Sequence, residues 1–226
     1  MAAFIGLLVV LPGMVIIWLR VPEGDPTASN PARIFNATGF LLPLLMVIWS
    51  VALGITGWWF RRHRPVSGWE RPRALRLSPI AAVPIGIVVG FGGLVFSGLV
   101  TTMVFRPLGI QPARDELISA GADSGGLVLA GLGLLAVVVA PIGEELFFRG
   151  YLFRWSASRC GMPYAYALST TIFALAHFNP FGLPLYLTFG LILAWSYQRW
   201  RTLVVPIAAH ATLNAIVVAG YIARAA

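Results

Sequence analysis

Hydrophobic positions in this chain come in long, nearly unbroken runs, and the polar positions are gathered between them. Ala2 to Leu19, Thr38 to Phe60, Leu77 to Phe105, a stretch from Gly125 onward, Tyr164 to Phe178, Phe181 to Gln198 and Leu203 to Ile222 each read as an apolar helix. Most approach or exceed the roughly 20 residues that a bilayer requires. The breaks carry turn formers or arginine: Pro22, Pro26 and Pro31, the arginine-rich Arg61 to Arg76, the polar Arg106 to Ser124, Gly161-Met-Pro163, Asn179-Pro180 and Arg199-Trp200-Arg201. The expected fold is all-α, a polytopic transmembrane bundle of about seven spans.

Composition narrows the class further. Of 226 residues, 58% are hydrophobic and 11% charged, and the mean hydropathy of +0.84 excludes an ordinary soluble domain of this length. The net charge of +8 is carried by arginine, and in a membrane chain such an excess reports orientation rather than a nucleic-acid partner. Arg61 to Arg76, Arg149, Arg154, Arg159, Arg199 and Arg201 fall on one side of the expected spans, and only Arg20, Arg33, Arg106, Arg114 and Arg224 on the other. The N-terminus and the end of the fourth span are therefore expected to face the cytoplasm. No basic segment precedes Ala2, so the first run reads as a span rather than a secretory leader. The single cysteine, Cys160, excludes an internal disulfide, and no Cys/His spacing resembles a structural zinc site.

Ionisable residues are scarce inside the runs, and the exception is Pro141-Ile-Gly-Glu144-Glu145-Leu-Phe-Phe-Arg149-Gly150. A carboxylate in hydrocarbon costs at least about 2.5 kcal/mol unless it faces protein, water or a partner. Glu145 and Arg149 are i,i+4, the separation at which opposite charges on a helix touch, and Glu144 is turned about 100° away, free for chemistry. Phe173 and His177 repeat the spacing, with Phe173 as a packing wall, and so do His210 and Asn214. Glu144 lies 17 residues before Gly161 and His177 16 after it, so an antiparallel hairpin sets them at similar depth. The Arg199 to Arg201 turn brings His210 and Asn214 into the same half of the bundle. Arg154 and Arg159 read as topology and lipid-surface residues, with the end of the fourth helix projecting as an amphipathic tail. The Gly86 and Gly90 pair reads as a close helix contact.

Glu144-Glu145-x-x-x-Arg149, Phe173-x-x-x-His177 and His210-x-x-x-Asn214, in that order, resemble the three signature motifs of the CPBP family of intramembrane proteases, which includes CAAX prenyl endopeptidases and bacterial Abi proteins. The resemblance covers roughly Gly125 to Ala219 and divides the chain into N-terminal helices with a basic loop (1–124) and a catalytic bundle (125–226). It implies peptide hydrolysis by a glutamate-activated water. Glu144 would be the base, His177 would orient the water, His210 and Asn214 would stabilise the oxyanion, and Glu145, Arg149 and Phe173 would support them. The implied partners are the lipid bilayer and a peptide or protein substrate, with a prenylated CAAX terminus as the best-known target. Zinc on Glu144, His177 and His210 stays open as a cofactor, with the metal-free mechanism preferred. The alternatives are a non-proteolytic Abi-type scaffold or bacteriocin-immunity protein, a proton-coupled transporter, and polar groups acting only as glue between helices.

Overall fold

The computed structural model describes residues 41–63, 77–109, 126–177 and 182–225. The expected first span, the Arg20 to Asn36 loop, Arg64 to Arg76, Arg114-Asp115-Glu116 and Asn179-Pro180 lie outside the described residues. Within them every regular element is helical. Helix α1 is Leu41–His63, α2 begins at Pro79–Val100, α3 runs over 126–160, α4 is Met162–Leu175, α5 Leu183–Trp200 and α6 Val204–Ala225.

Local chemistry explains the ends. The Ser78 hydroxyl accepts from the amide of Ala81 at 3.2 Å, and Pro79 in the first turn lacks the amide that would otherwise need a partner. Helix α2 continues beyond Val100 through a π turn, Thr101–Phe105, and a 3-10 turn, Arg106–Leu108, before Gly109 closes it at φ +81°. Gly161, at φ +86°, turns α3 directly into α4, with Pro163 in the first turn of the new helix. Arg201 adopts φ +55° between α5 and α6, and its Nε donates to the carbonyl of Gln198 at 3.0 Å.

Three of these helices are long and apolar enough to cross a membrane: Pro79–Leu108, Ala130–Cys160 and Val204–Ala223. This supports a helical membrane protein and meets the expected seven spans only in part. Helix α4, expected to reach Phe178, ends at Leu175 after 14 residues, short of the roughly 20 a span requires. The outward faces are apolar, as on Ile80, Val88, Phe91 and Met103 of α2, where a soluble protein would place charge.

Helix packing rests on two close crossings. A Cβ on Gly57 would collide with the backbone of Leu146, and one on Gly143 with the carbonyl of Ser50, so α1 and α3 touch backbone to backbone. Gly86 and Gly90 make the equivalent contact of α2 with Val205, Ala208 and Ala209 of α6. Helix α3 is thereby held on one side by α1, and its remaining faces meet a core of Phe148, Leu152, Phe173, Phe189, Leu193, Ala209 and Leu213.

Candidate active site

Helix α3 is α-helical over Gly126–Leu134, Ala140–Phe147 and Arg154–Cys160, and these pieces are joined by π turns at Leu135–Val139 and Phe148–Phe153. The two glutamates therefore sit on a short α-helical segment between two widened turns. Such turns cluster at functional sites because the extra residue re-aims the side chains that follow. Arg149 lies within the second of them.

The centre of the site is an ion cluster closed off from solvent. Glu145 and Arg149 are both 0% exposed, and Arg149 Nη1 donates to Glu145 Oε1 at 2.7 Å. Nη2 of the same guanidinium donates to the carbonyl of Gly190 on α5 at 2.9 Å. The face of the guanidinium lies over the Phe173 ring, 4.5 Å from its centroid. His210 Nδ1 stands 3.1 Å from the same Glu145 oxygen, donating in the tautomer that carries its proton there. Glu145 thus joins α3 to α6, and Arg149 joins α3 to α5.

The expected Glu145 and Arg149 pair gains a third member in His210. In the folded chain the imidazole is turned onto Glu145, because α6 crosses α3 where that carboxylate points. Glu144 is half-buried, and among the described residues its Oε2 is enclosed without a hydrogen-bond partner, as is Oε2 of Glu145.

His177 is half-buried in the turn that follows α4, and its Nδ1 pairs with the Phe173 carbonyl at 2.8 Å. Its ring meets the Phe173 edge at 4.7 Å and stacks on Tyr186 at 4.1 Å. Phe173 also contacts the His210 ring at 5.6 Å, so this buried phenyl is the wall shared by both histidines and the arginine. Asn214 Nδ2 donates to the Ala136 carbonyl at 2.7 Å, within the first π turn of α3. The site residues therefore lie along one seam, with Asn214 at the Ala136 end.

Among the described residues no three His, Cys, Asp or Glu side chains stand together as an ion's ligands. Of the residues considered for zinc, His210 has Nδ1 turned onto Glu145 and His177 has Nδ1 on a backbone carbonyl, so Nε2 is the nitrogen each would offer a metal. Residues not foreseen from sequence are Gly190, Ala136, Tyr186 and Phe189. The first two act through carbonyl oxygens, which side-chain patterns do not advertise. Tyr186 and Gly190 do share i,i+4 spacing on α5, and Phe189 meets His210 at 6.1 Å.

Fold and site together define a helical membrane protein built around a buried carboxylate, guanidinium and imidazole cluster. Residues 126–216 match the family described as Type II CAAX prenyl endopeptidase Rce1-like. The "Putative membrane peptidase YdiL" of Bacillus subtilis is 33% identical over 85 residues, 38% of this chain and 35% of that protein. Two Lactococcus lactis proteins also match: UPF0177 protein YxdF, 28% identical over 131 residues (54% of this chain, 70% of that protein), and UPF0177 protein YbdJ, 35% identical over 80 residues (35% and 34%). The alignments thus span about a third of YdiL and YbdJ and more of YxdF. Over residues 126–216, less than half of its length, the chain is similar to the Rce1-like family, which supports the resemblance of its motifs to the CPBP family. No solved structure matches it.

Proposed function

We propose that this chain is an intramembrane peptidase in which Glu144 activates a water for attack on a peptide bond. The observation that carries the reading is the enclosed, unpartnered carboxylate oxygen of Glu144 beside the Glu145, Arg149 and His210 cluster. A buried carboxylate oxygen without a protein donor is poised to accept a proton from water or substrate. Arg149 holds a guanidinium against the glutamate pair through its bond to Glu145. His177 orients the water from the Phe173 wall.

As the carbonyl of the scissile bond becomes an oxyanion, it needs donors held in place beforehand. Asn214 retains one amide hydrogen beyond that given to Ala136, and His210, with Nδ1 donating to Glu145, offers a second hydrogen at Nε2 in its imidazolium form. Glu145 positions the imidazole that performs this role. The site opening is placed on the cytoplasmic side, as the arginine distribution favours. The substrate is a membrane-associated peptide, and a prenylated CAAX terminus is the first to try, because the matched family is described by that activity.

The test is cleavage of a fluorogenic prenylated CAAX peptide by the purified chain. Glu144→Gln is isosteric and removes the base, so turnover is expected to fall by at least about 10²-fold with the thermal midpoint unchanged. Retained turnover in this variant would remove Glu144 from the role of base.

A further inference from the structure

Helix α5 carries none of the residues picked out by the three motifs, yet one stretch of it meets three of them. The Tyr186 ring stacks on His177, with centroids 4.1 Å apart and planes 24° from parallel. Phe189 meets the His210 ring at 6.1 Å, and the Gly190 carbonyl accepts from Arg149 at 2.9 Å. Tyr186 and Gly190 are i,i+4 and so share a face of the helix. Tyr186 is half-buried and packs against the cluster that holds Phe148, Phe173 and Phe189, so its ring is held by the core.

His177 needs such a hold. Helix α4 ends at Leu175, and the histidine lies in the turn beyond it, its amide bonding back to the Ala174 carbonyl at 3.3 Å. Its Nδ1 stands 2.8 Å from the Phe173 carbonyl, which can only accept, so Nδ1 carries the hydrogen and in the peptidase reading the water meets Nε2. One hydrogen bond fixes one atom of the ring and leaves the plane able to swing about it. The Phe173 edge at 4.7 Å and the Tyr186 face at 4.1 Å remove that freedom. We propose that Tyr186 is a positioning residue of the peptidase: its ring clamps the His177 imidazole in one plane and thereby sets the direction of Nε2. The role rests on the peptidase reading, whereas the clamp itself does not. The stack belongs to the ring and not to the hydroxyl, so phenylalanine can replace Tyr186 and an aliphatic side chain cannot.

The test reads the clamp and the chemistry separately. The full chain, purified in detergent with isotope-labelled histidine, gives three imidazole Hε1 resonances by NMR, from His63, His177 and His210, and His177→Gln identifies the one of interest. At one alkaline pH, so that protonation does not enter, the His177 resonance should be displaced by the Tyr186 ring current in the parent and in Tyr186→Phe. In Tyr186→Leu it should return towards the position of an unstacked imidazole. With the fluorogenic CAAX peptide, Tyr186→Leu should lose about 10- to 100-fold in kcat with KM little changed, as for a group that orients the reaction and does not hold the substrate. The conservative Tyr186→Phe should rescue that loss. A His177 resonance that stays in place in Tyr186→Leu would overturn the clamp whatever the activity. A resonance that moves while kcat holds would overturn the positioning role, and equal losses in Tyr186→Leu and Tyr186→Phe would assign the effect to the hydroxyl and overturn it too. Retained turnover in Glu144→Gln would count against the proposed base alone, and the resonance would still decide the clamp.

Discussion

Arg149 and Arg154 are five residues apart on α3, both almost wholly buried, and their surroundings follow opposite rules. Arg149 is deep among helices, where a carboxylate, a carbonyl and a phenyl face meet its guanidinium. Arg154 lines a pocket at the helix end with Arg61 and Arg159, and its Nη1 donates to the carbonyl of Gly150 at 3.5 Å. In the low-dielectric interior a charge is tolerable only where the chain itself supplies the counter-charge. At the membrane boundary water and headgroups can share in supplying it. The contrast separates charge that holds the bundle together from charge that meets the membrane.

The strongest way to break this contrast is to remove the central cation. Arg149→Met should leave Glu145 buried with His210 as its remaining partner and destabilise the protein by about 3–5 kcal/mol, read as a lowered midpoint in chemical or thermal unfolding. Adding Glu145→Gln should recover much of that loss, because the uncompensated carboxylate and not the missing packing causes most of it. If the double variant were as unstable as Arg149→Met alone, packing around Phe173 would be the larger contribution.

A smaller effect comes from the neutral part of the same cluster. A Cβ at Gly190 would lie 3.1 Å from Thr170 Cγ2, 3.2 Å from Phe173 Cδ1 and 3.7 Å from Arg149 Nη2. Gly190→Ala should push α5 away from the guanidinium and cost about 1–3 kcal/mol, as overpacking typically does. Turnover should fall with it, since Phe173 carries His177 and His210. The glycine lets α5 pass close to α4, where a Cβ would press on Thr170 and Phe173.

These two variants also mark what the sequence could and could not disclose. The apolar runs are legible because lipid demands them, and the Glu145 and Arg149 contact is legible because i,i+4 neighbours meet on any helix. The close crossing at Gly86 and Gly90 follows the same local logic. The turn of His210 onto Glu145 depends on where α6 crosses α3, which no spacing encodes. The two π turns are equally hidden, since Leu135–Val139 is an ordinary apolar string and its widened turn exists only in the packed helix. Also hidden is the packing of Phe153, fully buried between Tyr166 and Tyr197, because the direct turn at Gly161 folds α4 back along the end of α3.

Asn214 gives the finest separation of holding from doing. Its amide donates to a carbonyl of the first π turn, so Asn214→Ala leaves the Ala136 oxygen without that donor. One neutral hydrogen bond of this kind is worth about 0.5–1.5 kcal/mol, less than the loss expected at Gly190. If the remaining amide hydrogen also meets the oxyanion, turnover should drop by about 10²-fold or more, far beyond what so small a loss of stability explains. Asn214→Asp tests the same point, because an ionised carboxylate offers no hydrogen to either acceptor. Measured side by side, a midpoint lowered slightly with turnover nearly abolished assigns Asn214 to the reaction. Turnover that falls only in step with the folded fraction assigns it to the seam between α6 and the π turn.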